Sequence, residues 1–195
     1  MRITIPGRLV EKKGHIYLFQ ALRLLKDRDI PIELTVIGYG DRSEYVQITE
    51  DLGINEQIRW VDTTEATIKG EFDKIYSQIL EDTDLVTLPC TTSSEGDNEA
   101  GPALVLCLAQ AAGVPVLTTA FRGHEISIAD GVTGLIAKEA DAEDLAEKII
   151  WSIENPNAVK KIADAGKEEV RRIFDLDSSV HAIYELITKD LVKRP

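Results

Sequence analysis

Cysteine is nearly absent, with only Cys90 and Cys107 in 195 residues. Two thiols give neither the density of a disulfide framework nor the spacing of a metal-ligand set, which points to a reducing compartment and buried free thiols. No run approaches the roughly 18 consecutive apolar residues of a membrane span, and the first residues lack the basic-then-apolar pattern of a secretory signal. The expectation is a soluble, cytoplasmic chain with no direct membrane span. Positive charge is also scarce: 22 Lys and Arg face 34 Asp and Glu, a formal net charge of −12. A field of that sign repels phosphates, so nucleic acid is disfavoured as the main partner and any phosphate site must be local. The three histidines, His15, His124 and His181, are far apart and form no ligand or triad pattern. No metal site is expected; His124, which follows a strand, keeps a minor functional reading.

What is present is a chain that can enclose one sizeable core, since 44% of it is hydrophobic and no composition shift divides it. One domain over residues 1–195 is expected, its C-terminal helices covering about 141–195. Short β-branched runs alternate with amphipathic stretches, the pattern of a Rossmann-like α/β fold: a doubly wound parallel sheet with helices on both faces. Strands are expected at 2–9, 32–37, 58–61, 85–88, 114–118 and 134–137. Leu18, Leu22 and Leu25 form one helical stripe, and a helix over 43–52 ends at Gly53. The helix over 103–112 is apolar enough to be buried nearly all round. Asp141 is a natural N-cap for a helix with Leu145, Ile149 and Ile153 on one face, ended by Asn155-Pro156. Two more amphipathic stretches follow, one carrying Val159, Ile162 and Val170, the other Val180, Ile183, Tyr184, Ile187 and Leu191.

In open parallel sheets ligands bind outside the carboxyl ends of the strands, where loops converge and helix N-termini aim free amides at anions. Three segments qualify. Gly7-Arg8-Leu9 with Lys12-Lys13-Gly14 sets three cations and two glycines after the first strand, as a diphosphate would require. Alone, the pattern is weak, since surface Arg and Lys in a loop are usually just solvated. Gly38-Tyr39-Gly40 ends the second strand but lacks the third glycine of a dinucleotide fingerprint; NAD is therefore the lesser reading, with Asp62 its only arguable ribose ligand. The loop 93–102 (SSEGDNEAGP) feeds straight into a helix, so its amides suit phosphate and its carboxylates suit sugar hydroxyls. An ordinary polar loop with Asp97 or Asn98 as turn former fits as well.

Taken together, GRLVEKKG at 7–14, VIGYG at 36–40, GDNEAGP at 96–102, AQAAGVPVLTT at 109–119 and DGVTGLIAK at 130–138 resemble the C-terminal domain of the retaining GT-B glycosyltransferases. This family, often called glycosyltransferase group 1, includes colanic-acid and lipopolysaccharide-type enzymes. The likeness covers about residues 3–190, and the order and spacing of the five motifs are more specific than any one of them. It implies one half of a GT-B fold, holding a nucleoside-diphosphate sugar as donor substrate without a cofactor or an obligatory metal. The other half, an N-terminal acceptor-binding domain, would be missing. By position, Arg8 and Lys13 would hold the donor diphosphate, and Glu99, with Glu95 as fallback, would grip the donor sugar's hydroxyls. Gly7, Gly14, Gly38 and Gly40 would let backbone approach the ligand, while Gly101 and the amides of Ala103 and Leu104 would face the distal phosphate.

Two departures stand out. Where the family has a second glutamate, which grips the ribose, this chain has Leu108 or, allowing one inserted residue, Cys107. The family's Gly-Gly-x-x-Glu segment is altered to Phe121-Arg122-Gly123-His124-Glu125, so no role passes to Glu125. A non-catalytic sugar-nucleotide-binding or scaffold protein is the alternative these departures raise.

Overall fold

The computed structural model describes the backbone of residues 1–192 and the side chains of residues 1–188. Six strands form one sheet: β1 (Arg2–Pro6), β2 (Glu33–Gly38), β3 (Ile58–Asp62), β4 (Leu85–Leu88), β5 (Val116–Thr119) and β6 (Leu135–Ala137), in the order β3-β2-β1-β4-β5-β6. Every neighbouring pair is parallel, with Ile5 beside Val36 and Ile3 beside Leu85 in the centre. A parallel sheet covered on both faces needs strands that are apolar on both sides, and β4 and β5 are buried at every residue.

The helices are α1 (His15–Asp27), α2 (Ser43–Asp51), α3 (Thr64–Lys69), α4 (Phe72–Leu80), α5 (Leu104–Ala112), α6 (Ala142–Glu154), α7 (Pro156–Ile173) and α8 (Leu176–Val192). They form two layers, α1 packing on α2 and α6, and α5 on α4 and α7. The Leu18, Leu22 and Leu25 stripe of α1 is fully buried in the core. Asp141 caps α6 by accepting from Asp144 N at 2.9 Å, and Asn155-Pro156 separates α6 from α7.

Four expectations change. The first strand stops at Pro6, because Gly7 N donates to Ile37 O and the chain then leaves the sheet. The fifth begins at Val116, since Val114 N is used to close the end of α5 by bonding Ala109 O. Helix α5 is not buried all round: Leu104 is 68% exposed at its first turn, which projects past the sheet edge. In α6, Leu145 and Ile149 are buried, while Ile153 in the last turn is exposed. On α8 the expected stripe of Val180, Ile183, Tyr184 and Ile187 is present and exposed, and Leu191 lies outside the described side chains.

Candidate functional site

Because all six strands run parallel, their carboxyl ends share one edge of the sheet. The chain winds outward from β1 to β3, then returns to place β4 on the other side of β1. That reversal makes the β1/β4 junction the switch point, where the two flanking loops diverge and leave a crevice. The loops there are residues 7–14 and 89–103, two of the three segments singled out by the sequence.

Glycine makes their close approach possible. Gly14 has φ of +70°, and a Cβ there would stand 1.8 Å from Pro89 O, so no other residue fits between the two loops. A Cβ on Gly38 would stand 1.8 Å from Gly7 O, which lets the third segment lie directly against the first. Leu9 N then donates to Tyr39 O at 2.9 Å, tying 7–9 to 38–40 and bringing Gly40 beside Leu9. A short 3-10 turn over Glu11–Lys13 follows and leads into α1. Thr91 N donates to Lys12 O at 2.9 Å, so the turn sits on the start of the loop after β4.

The side chains converge on this junction. Lys13 and Glu99, far apart in sequence, form an ion pair whose side chains are 13% and 21% exposed. Lys12 Nζ lies 3.0 Å from Asp97 Oδ2. Arg8 is exposed, and its guanidinium makes no ion pair among the described residues. Beyond Glu99, Gly101 N donates to Arg122 O at 2.8 Å, and Gly123 packs on Gly101 so tightly that a Cβ would come within 2.5 Å of its Cα. Ala103 is the N-cap of α5, and no side chain caps the helix, which leaves the first amides, including that of Leu104, turned toward the edge. Glu95 is exposed and forms no ion pair among the described residues.

Neither cysteine supplies reactivity. Cys90 is buried close to the Lys13–Glu99 pair, and burial pushes its thiol up to about 12 against the opposing pull of Lys13. Cys107 is buried beside Ser127 Oγ at 3.8 Å, with its thiol likewise raised by burial. Leu108 is half-buried and lines a groove against Tyr76 and Leu80 of α4. No carboxylate stands at either position. Glu125 is occupied locally: its carboxylate accepts from Gly123 N at 2.9 Å and is held below the usual range by that loop's backbone amides. His124 Nδ1 bonds Phe121 O in the same turn.

Two features escaped the sequence reading. His15, at the start of α1, is buried with both ring nitrogens unpartnered, edge-on to Tyr45 at 5.4 Å between ring centres. Burial first, and Lys13 second, hold it down to about 4, so it is a neutral core residue. A small cleft beside Gly38 and Gly40 is lined by Arg42, Trp60, Val61 and Asp62, on strand ends that carry no motif. Within it Asp62 accepts from Thr64 N at 2.7 Å, and the hydrogen bonds from Thr64 keep its carboxyl below the usual range. Among the described residues, no helix is long and apolar enough to cross a membrane.

The fold has well-matched counterparts. The crystal structure of Anabaena Alr3699/HepE in complex with UDP-glucose superposes with a TM-score of 0.79 at 21% identity, covering 96% of this chain and 48% of that one. The C-terminal domain of a glycosyl transferase group 1 family protein, LpcC from Francisella tularensis, superposes with a TM-score of 0.68 at 20% identity, covering 88% of this chain and 84% of that one. In sequence, the amylovoran biosynthesis glycosyltransferase AmsK of Erwinia amylovora is 28% identical over 191 residues, 97% of this chain and 45% of that protein. The chain thus spans about half the length of the relatives it matches. The family model for glycosyl transferases group 1 matches residues 2–169, and with the parallel sheet and its switch-point loops this settles the lineage: the chain belongs to the group 1 glycosyltransferase family.

Proposed function

We propose that this chain is the donor-binding part of a cytoplasmic, retaining glycosyltransferase that moves a sugar from a nucleoside-diphosphate sugar to a glycan or lipid-linked acceptor. The observation that carries the reading is the pairing of Lys13 with Glu99 across the β1/β4 switch point, with Arg8 exposed on the same loop as Lys13 and the N-terminus of α5 uncapped by any side chain. Arg8 and Lys13 supply local positive charge on a chain whose net charge is −12, which is what a diphosphate needs. Gly14 and Gly38 let the loops of the site pack backbone to backbone, and Gly7 and Gly40 lie against Lys13 and Leu9, which keeps all four at the proposed donor site. The amides beyond Gly101, at Ala103 and Leu104, face the phosphate farther from the sugar-binding carboxylate.

As the glycosidic C–O bond breaks, its electron pair passes to the oxygen of the departing diphosphate. Arg8 and Lys13 stabilise that growing charge without reorganising. In the structure Lys13 pairs with Glu99, so a diphosphate that takes this lysine does so by exchange. The diphosphate takes Lys13, and Glu99 turns its acceptor oxygens to the sugar hydroxyls. No residue here is assigned to a metal or a cofactor, and the acceptor wall comes from a half that the relatives have and residues 1–195 do not include.

A second reading, a sugar-nucleotide binder without turnover, is favoured by the buried Cys107 and the groove-facing Leu108 where a ribose-binding carboxylate is expected. Both readings require nucleotide binding. Thermal unfolding of the 195-residue chain with UDP-glucose, GDP-mannose, UDP, GDP and NAD tests it: a sugar nucleotide at 100 times its Kd stabilises the fold by about 2.7 kcal/mol. A panel in which only NAD, or no nucleotide, raises the melting temperature overturns the proposal. Turnover by the chain joined to an acceptor-binding half then separates an enzyme from a binder.

A further inference from the structure

Three consecutive residues of the turn after β1 each reach the loop after β4. Glu11 Oε1 accepts from Ser94 N at 2.9 Å and Glu11 Oε2 from Ser94 Oγ at 2.8 Å. Lys12 meets Asp97, and Lys13 meets Glu99. Between these rungs the loop closes on itself: Ser93 N donates to Asp97 O at 2.7 Å, and Asp97 N to Ser93 Oγ at 3.0 Å. Its base is held from the other side, where Thr92 N donates to Glu139 at 2.5 Å and Asn98 Nδ2 to Thr92 Oγ1 at 2.8 Å.

The rungs are not equivalent. The Lys12–Asp97 pair joins single points, and its aspartate side chain is 64% exposed, so solvent screens it. The Lys13–Glu99 pair is the better shielded, yet an anionic ligand competes for that same lysine. Of the three side chains on the turn, Glu11 alone grips the loop's main chain, at its exposed tip, through a charge-assisted pair of hydrogen bonds to Ser94, while Glu139 and Lys12 O hold the loop's base. It has no part in the exchange at Lys13.

We propose that Glu11 is a positioning residue for the donor sugar. It anchors the 93–99 loop to the β1 turn, so that Glu99 remains over the site after Lys13 has left it for the diphosphate. This rests on the reading of Glu99 as the sugar-binding carboxylate. Losing Glu11 leaves Arg8 and Lys13 in place, so the diphosphate still binds while the sugar's contribution is lost.

The test uses the 195-residue chain carrying Glu11→Ala or Glu11→Gln, with two readouts. Hydrogen–deuterium exchange without ligand is expected to rise about tenfold or more across residues 92–99 in the alanine variant, with α1 and α5 protected as before. The glutamine variant keeps an acceptor oxygen and recovers most of that protection. Calorimetric titration is expected to show UDP-glucose and GDP-mannose weakened about tenfold by Glu11→Ala, with UDP and GDP within about twofold, and glutamine again rescuing. Unchanged exchange in 92–99, or equal losses for the sugar nucleotide and the bare diphosphate, overturns the positioning role while leaving the donor reading intact. If the unaltered chain binds none of the four nucleotides, the donor reading fails and the sugar role with it; the exchange data then still decide whether Glu11 anchors the loop.

Discussion

At Glu99 the structure sets two roles against each other, because the carboxylate proposed for the sugar is paired with the lysine proposed for the phosphate. Removing it therefore has opposite effects on two ligands. In Glu99→Ala the sugar nucleotide loses a charged acceptor, about 1.5–3 kcal/mol, whereas the bare nucleoside diphosphate meets a freed Lys13 and binds as well or better. Calorimetry with both ligands checks this, and equal losses would remove Glu99 from the sugar site. His15 offers a different residue-scale test. Its folded-state value of about 4 lies below the ordinary 6.5, so the neutral ring's stability is present above about pH 6.5 and drains away as pH falls toward 4. Lys13 and the Tyr45 and Phe19 rings face it, and burial pushes the Tyr45 hydroxyl up, away from that window. Denaturant unfolding at pH 7 and pH 5 should differ by about 2 kcal/mol from this group, and His15→Phe should remove most of that difference. An undiminished pH dependence in the variant would assign the loss elsewhere.

Among the elements, α6 and α5 make contrasting predictions. Asp141 is the side-chain N-cap of α6, whose Leu145, Ala146 and Ile149 pack in the core and against α1. Asp141→Ala should cost about 1 kcal/mol, read as a fall of roughly 2–4 °C in Tm for a chain of this size. Helix α5 is held by Gln110, which donates to Ser127 O at 3.1 Å and Thr133 O at 2.9 Å, and by Tyr76 donating to Val105 O at 3.0 Å. The Tyr76 bond holds the first turn, the end that faces the site, and the Gln110 bonds hold the last turn; none of them uses Leu108. Since Leu108 is half-buried, packed against the core on one side and lining a groove on the other, Leu108→Ala should cost less than the roughly 2–5 kcal/mol of a fully buried truncation, with nucleotide affinity unchanged. A loss of affinity in that variant would put this turn of α5 at the ligand.

At the scale of the whole molecule, the proposed reading has residues 1–195 supply one wall of a cleft, at the switch-point edge. Positioning an acceptor and excluding water needs a second surface facing the first, and residues 1–195 correspond to about half of the relatives' length. The chain alone should therefore bind a sugar nucleotide and transfer nothing. Product formation with UDP-glucose or GDP-mannose and a supplied glycan acceptor measures this, and transfer by the 195-residue chain would show that one wall suffices.

The strands, their spacing and the loops that follow them are legible in the amino-acid sequence because their signals are local. Ile32, Leu34, Val36 and Ile37 mark β2 by composition alone, LVTL at 85–88 is β4 to the residue, and Asp141 announces the start of α6. The cations after β1 and the carboxylate before α5 are legible too, as members of ordered motifs. What only the tertiary structure decided is which of these meet. Strand order brings β4 beside β1, and that adjacency pairs Lys13 with Glu99, locks Glu11 onto Ser94 and makes Gly14 the sole residue that fits against Pro89. It also turned an apolar helix into one with an exposed first turn, put Leu108 at a groove, and buried His15, which formed no pattern in the sequence. Periodicity reports which face of an element is apolar; contacts between elements far apart in the chain depend on how those faces are stacked, and that is settled by the packing of the whole core.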